Sequence, residues 1–236
     1  ISATAEWLYV SNYFSGTVDV FPLGGDGTIG PIHQTLAGSG SGPNPVQDGP
    51  HAHSTLVTAS GVLSADLGTD QVHVHRWSGE KLQRVSSVSF PGGTGPRDFA
   101  VAPDGRIHLS GELSGEIFEL GESGEILRSG PSVLDPVEGD HWAGLAIDDS
   151  GSRLYTGLRG SNRIAVVDAA TLSPIAAISC GGDWPRNLWL AGEMLYVANE
   201  RSSTVTSFRV DPVTGIPSPV GSPEAVPTPT YLLPAS

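Results

Sequence analysis

Residues 49–77 read GPHAHSTLVTASGVLSADLGTDQVHVHRW. A polar opening (Pro50, His51, His53) leads into a run from Ser54 to Thr58, a short turn, and a second run from Val62 to Asp66. A glycine-bearing corner at Leu67 and Gly68 then precedes a third run from Gln71 to Trp77. Apolar residues alternate with polar ones in these runs, and turn formers separate them, which predicts short antiparallel strands.

The layout recurs three times downstream, and its second half occurs once upstream. The third runs align as GTVDVF from Gly16, QVHVH from Gln71, EIFEL from Glu116, RIAVV from Arg163 and TVTSF from Thr204. Their central apolar residues, Val18, Val72, Ile117, Ile164 and Val205, are therefore 54, 45, 47 and 41 residues apart. A repeat of ~40–50 residues built of short alternating strands is the signature of propeller blades. The sequence thus predicts an all-β propeller, read as one partial domain over residues 1–236 with about five blade repeats and a closing strand.

Working outward, the second blade is completed by Lys81 to Phe90. The third opens at Gly95-Pro96-Arg97-Asp98-Phe99 and the fourth at His141-Trp142-Ala143-Gly144. The fifth opens at Trp184-Pro185-Arg186-Asn187. Upstream, Trp7 to Asn12 and Gly16 to Phe21 supply the second and third strands of a first blade, with Thr28 to Leu36 as its outer strand. The Gly-, Ser- and Pro-rich stretch 37–49 is a long connection that accounts for the 54-residue interval. Thr228 to Pro234 (TPTYLLP) is expected to close a ring as the innermost strand of the first blade, removing free sheet edges.

Composition narrows the class. With 31 Gly, 19 Pro and 38% hydrophobic residues in 236, the chain is turn-rich and long enough to bury a core. It contains no apolar run of ~18 residues and no secretory leader, so no membrane partner is expected. The chain opens on Ile1 rather than Met, which reads as an excerpted N-terminus. Lone Cys180 cannot form an internal disulfide and reads as a core filler; few cysteines and no leader suit a cytoplasmic location. The net charge of −13 repels phosphate backbones and anionic lipid, which argues against nucleic acid as a partner. An anionic small molecule would need a local arginine cluster.

Strand direction supplies one. In each blade the start of the first strand and the end of the second share a side. That places His51, His53, Arg97, Asp98, His141, Arg186 and Asn187 with Asn12, Asp66, Glu112, Arg159, Asn199 and Glu200. Three of the 12 basic residues fall there, all arginine.

The segments GPHAHS with ADLGTD, GPRDFAVAPDGR, LRGSNRIAVVD, and WPRNLWL followed by YVANERSSTVTSFRVDPVTG resemble the lactonase family of seven-bladed propellers. That family includes 6-phosphogluconolactonase and a carboxymuconate lactonizing enzyme. The resemblance runs along essentially the whole chain and implies that about two N-terminal blades are absent. It departs from the family where Asp98 and Asn187 follow Pro-Arg in place of histidine. The corners Leu158-Arg159-Gly160 and Gly111-Glu112-Leu113 keep the arginine and the glutamate but carry Leu158 and Gly111 where the resemblance implies asparagine.

The implied activity is hydrolysis of a sugar lactone, 6-phosphogluconolactone to 6-phosphogluconate, in the pentose phosphate pathway. Opening a cyclic ester needs an activated water, a stabilised oxyanion and an anchor for the rest of the sugar. Glu112 is the first candidate base or acid and His53 its rival, while Arg97, Arg159 and Arg186 form an anion clamp, Arg97 also facing the developing charge. His51 holds the loop or binds substrate; His141 and Trp142 are candidates to bond or stack on a sugar ring, with core packing the favoured role for Trp142. The His51-x-His53 pair has no third ligand at a fixed spacing, so no metal or other cofactor is expected. His73, His75 and His108 read as packing residues, and Trp77, Trp184 and Trp189 as fillers between blades. Two alternatives remain open: lactonizing or cycloisomerase chemistry on a dicarboxylic acid, and a non-catalytic propeller that binds a ligand or protein. The number of subunits is not set by the sequence.

Overall fold

A computed structural model describes residues 1–234. It contains five four-stranded sheets, each with its strands in sequence order, and no helix among the described residues. The first sheet is β1 (Ser2–Ala3), β2 (Trp7–Asn12), β3 (Thr17–Pro22) and β4 (Gln34–Ala37). The second is β5 (Ala52–Thr58), β6 (Gly61–Asp66), β7 (Gln71–Ser78) and β8 (Lys81–Ser89). The third is β9 (Pro96–Val101), β10 (Ile107–Gly111), β11 (Glu116–Leu120) and β12 (Ile126–Pro131). The fourth is β13 (His141–Ile147), β14 (Arg153–Arg159), β15 (Arg163–Asp168) and β16 (Ser173–Ser179). The fifth is β17 (Pro185–Ala191), β18 (Met194–Asn199), β19 (Thr204–Val210) and β20 (Pro217–Ala225).

All five aligned runs are the third strands of their sheets. The first strand of the first sheet differs from expectation. The stub Ser2–Ala3 pairs with Tyr9 and Leu8 and so completes the first sheet. Thr228–Pro234, expected to be a closing strand, is irregular. Pro227, Pro229 and Pro234 cannot donate to a ladder, and the Leu232 amide donates instead to Asn187 Oδ1 at 2.9 Å. β16 carried too weak an alternation to be read from SPIAAIS.

Burial follows position in the sheet. The second strands β6, β10 and β14 are buried almost throughout, because neighbours cover both faces, whereas β8 and β20 are mostly exposed. Those edges carry Lys81 and Arg84, or Pro217, Pro219 and Pro223, which discourage pairing with another chain.

The chain divides into two compact units. One comprises Ile1–Phe99 with Glu119–Arg128, the other Ala100–Phe118 with the chain from Ser129 on. The first unit is centred on Tyr9, Val18, Val20, Val62 and Leu82, with Trp7 and Trp77 packed against them. In the second, Tyr155, Ile164, Val166, Leu195, Val197 and Phe208 form a core that includes Cys180. The Tyr155 hydroxyl donates to the Gly215 carbonyl at 3.0 Å, so even the largest polar group in that core is satisfied. Asp168 and Asp211 cap their turns alike: each Oδ1 accepts from the amide and hydroxyl of the threonine three residues on.

Candidate functional site

The registers put the start of each first strand opposite the end of the second: Ala52 faces Asp66, His141 faces Arg159 and Pro185 faces Asn199. All three first strands also bulge there. Asp66 pairs with Ala52 and Ala65 with Ser54, so His53 is the inserted residue; Asn199 pairs with Pro185 and Ala198 with Asn187, so Arg186 is inserted. A bulge leaves one residue out of the ladder and re-aims its side chain.

In the second unit these ends converge. The Trp142 amide donates to the Glu112 carbonyl at 3.0 Å, fixing the corner after β10 to the start of β13. Arg159, the last residue of β14, reaches back across this junction. Its Nη2 lies 2.8 Å from Glu112 Oε2 and 3.1 Å from the Trp142 carbonyl oxygen, and its Nε donates to the His141 carbonyl at 3.3 Å. The Arg159 and Glu112 side chains are only 8% and 13% exposed, so the pair is shielded from solvent screening. His141 Nδ1 stands 4.0 Å from the other oxygen of Glu112, and the His141 side chain is 38% exposed. A carboxylate held by an arginine on one side thus faces an accessible imidazole on the other.

The neighbouring corner belongs to β17 and β18. Arg186 Nη1 lies 2.9 Å from Glu200 Oε2. The amides of Glu200 and Arg201 donate to the carbonyls of Trp184 and Asp183 at 3.1 and 3.2 Å. The Trp184 indole carries two guanidinium groups, Arg201 with Cζ 3.3 Å from the ring centroid and Arg159 with Cζ 5.6 Å away. Trp184 is therefore half-buried beside the cluster, a correction to its reading as a filler between blades. Arg201 was missed as well, although it directly follows Glu200 in the same corner.

Trp142 is 4% exposed and donates through its indole to Ser132 Oγ, so it packs in the interior and offers no sugar-stacking face. Asn187 is buried, and its Oδ1 anchors the Leu232 amide.

In the first unit His51 is held on both sides. Nδ1 lies 3.0 Å from the Tyr13 carbonyl oxygen and Nε2 3.1 Å from Asp48 Oδ1, while the ring stacks on Tyr13 at 4.5 Å. His53 meets the edge of the same tyrosine at 5.9 Å. Arg97 is 4% exposed, and its carbonyl accepts from Ser54 Oγ at 2.6 Å. Asp66 serves the corner itself, its Oδ1 accepting the amides of His51, Gly68 and Thr69 at 2.8, 3.0 and 3.2 Å. Burial opposes its ionisation, but His73, the His51 amide and Thr69 outweigh that and hold its carboxyl below the usual range.

His73, His75 and His108 are buried in their sheets. His75 Nε2 meets Ser64 Oγ at 2.9 Å; burial first, and then the charges of His73 and Arg84, push its pKa down to about 3.

A model of the family described as "Lactonase, 7-bladed beta-propeller" matches residues 1–234. The 6-phosphogluconolactonase of Bacillus subtilis is 29% identical over 240 residues, which cover 94% of this chain and 69% of that protein. A crystal structure of a protein from Lactobacillus plantarum superposes with a TM-score of 0.89 at 31% identity, covering 98% of this chain and 71% of that one. The periplasmic gluconolactonase of Pseudomonas aeruginosa superposes with a TM-score of 0.85 at 26% identity, over 96% and 69% of the two chains. Five sheets of four strands, the match along residues 1–234 and these superpositions agree on the fold and its lineage: the chain belongs to the lactonase family of seven-bladed β-propellers.

Proposed function

We propose that this protein hydrolyses a sugar lactone, 6-phosphogluconolactone to 6-phosphogluconate, with Glu112 and His141 as its acid–base pair. The observation that carries the reading is the shielded Arg159–Glu112 pair facing an exposed imidazole at 4.0 Å. His141 Nε2 meets no polar group among the described residues, so it is open to a water.

In the proposed step the water oxygen bonds to the lactone carbonyl carbon as its proton passes to Nε2. Glu112 supports the positive ring that forms, and Arg159 keeps that carboxylate in place. The tetrahedral intermediate then collapses, the bond from the carbonyl carbon to the ring oxygen breaks, and the imidazolium returns the proton to that oxygen. The product is an open hydroxy acid, which sheds one proton to solvent near neutral pH. Arg186, whose side chain is 39% exposed, is the clamp arginine of this unit with most reach toward substrate. His51, His53 and Arg97 belong to the other unit, and their roles in binding and water activation stay part of the proposal.

The names of relatives support a lactone as substrate, one being called a 6-phosphogluconolactonase and another a gluconolactonase. Acid release followed at constant pH tests the reading. Consumption of base above the spontaneous rate with 6-phosphogluconolactone is expected; a rate equal to the spontaneous one with both this lactone and its unphosphorylated counterpart would refute it.

A further inference from the structure

Trp184 has φ of +67°, a left-handed backbone that a bulky side chain rarely adopts. The corresponding position of the third sheet shows what the backbone requires there. Gly95 stands before Pro96-Arg97 as Trp184 stands before Pro185-Arg186, and its φ is +62°. Both residues immediately precede the first strand of a sheet, and glycine takes this conformation without steric cost. The chain therefore places an indole where the local geometry favours no side chain at all. Strain of this kind persists only where the surroundings over-determine it, and it clusters at ligand-binding positions.

The surroundings here are specific. The Trp184 amide donates to Asn162 Oδ1 at 2.8 Å, and its carbonyl accepts the Glu200 amide at 3.1 Å, so the residue is clamped on both sides. Arg201 lies over the ring with Cζ 3.3 Å from the centroid. The other two arginines of this unit's cluster are committed, Arg159 to Glu112 and Arg186 to Glu200. Arg201 differs, because it is exposed and its guanidinium has no carboxylate partner among the described residues. A guanidinium held over an aromatic ring loses much of its conformational freedom while its N–H groups remain available to a planar or tetrahedral anion. In a chain of net charge −13, it is the uncompensated cation of this cluster.

We infer that the Trp184–Arg201 stack is an anion-recognition element that holds a phosphate monoester on the substrate and makes the enzyme prefer phosphorylated lactones. The inference rests on the proposed hydrolase reading and adds the determinant of its substrate class. Trp184 supplies the platform, Arg201 the charge-assisted hydrogen bonds to phosphate oxygens, and the Glu112–His141 pair the chemistry.

The test compares 6-phosphogluconolactone with unphosphorylated gluconolactone in the intact protein and in the variants R201A, R201K and W184G. Loss of a charge-assisted contact predicts that the ratio of kcat/KM for the two lactones falls roughly 10- to 100-fold in R201A. R201K recovers only part of it, since an ammonium cannot lie flat on the indole. W184G separates recognition from packing: relief of the left-handed strain leaves Tm equal or higher, yet the preference falls as in R201A. A preference unchanged in both R201A and W184G would overturn the inference.

Calorimetric binding of 6-phosphogluconate and gluconate distinguishes this inference from the reading it rests on. If no lactone is hydrolysed, the hydrolase reading fails, and the stack is judged by whether wild type binds the phosphorylated acid more tightly and R201A loses that difference. Equal binding of the two acids by wild type would likewise overturn it.

Discussion

Arg159 and Glu112 belong to different sheets and meet at 2.8 Å, with the arginine also holding the carbonyls of His141 and Trp142. One guanidinium thus fastens the end of β14, the start of β13 and the corner after β10. Breaking a shielded ion pair by removing one partner costs about 3–5 kcal/mol, because the remaining charge keeps its desolvation cost. Arg159→Ala is expected to lower stability by about 3 kcal/mol, and the double variant with Glu112→Gln by less than the sum of the single changes. Denaturant unfolding of the four proteins measures the coupling; strict additivity would show that the pair acts as two independent groups.

Glu112→Gln keeps the shape of the side chain and removes its charge. The positive imidazole that forms in the proposed step then loses its counter-ion, and kcat is expected to fall about 100-fold or more, with KM changed much less. His141→Asn is expected to give a similar loss of kcat. Steady-state kinetics measure both, and a His141→Asn enzyme with wild-type kcat would remove this residue from proton transfer.

Gly157 in β14 lies against the start of β17. A Cβ there would sit 2.4 Å from the Pro185 carbonyl oxygen and 3.1 Å from Pro185 Cβ. Overpacking of a well-filled interior costs about 1–3 kcal/mol. Gly157→Ala is therefore expected to destabilise the protein by about 2 kcal/mol, and to reduce turnover by displacing the Trp184–Arg186 corner. Thermal unfolding and kinetics on one preparation check the two effects together.

His75 makes stability depend on pH above the range where carboxylates titrate. Its folded pKa, about 3, lies below the ordinary 6.5, so the unfolded chain takes up a proton first. The stabilising contribution is whole above pH 6.5 and shrinks as pH falls toward 3, at a slope approaching one proton, about 1.4 kcal/mol per pH unit. Asp66 and Asp168, whose pKa values are lowered from 3.8, begin to lose their contributions only as pH falls toward 3.8, in the lowest part of that range. His75→Gln, which keeps an acceptor for Ser64, is expected to flatten the slope of unfolding free energy between pH 6 and 4.5. An identical slope in wild type and variant would assign the dependence to other groups.

The strands of the five sheets were legible because alternation and turn residues are local signals, and a repeat multiplies them. QVHVH, RIAVV and TVTSF each place apolar residues on one face with period two, and every one is a third strand. β16 was not legible, since SPIAAIS on an exposed edge has little need of a pattern. The bulges that put His53 and Arg186 out of the ladder leave the composition of their strands unchanged, so nothing in the sequence marks them.

By itself, then, the sequence determined the repeat, the third strand of every sheet, and which strand ends carry histidine, arginine and glutamate. Only the tertiary structure decided how those charges are spent: Arg159 on Glu112, Arg186 on Glu200, and Arg201 stacked on a strained Trp184. The physical reason is range. Strand formation answers to the nearest few residues, whereas a charge is satisfied by whichever partner the fold brings within about 4 Å, and between Glu112 and Arg159 that partner lies a full blade repeat away along the chain.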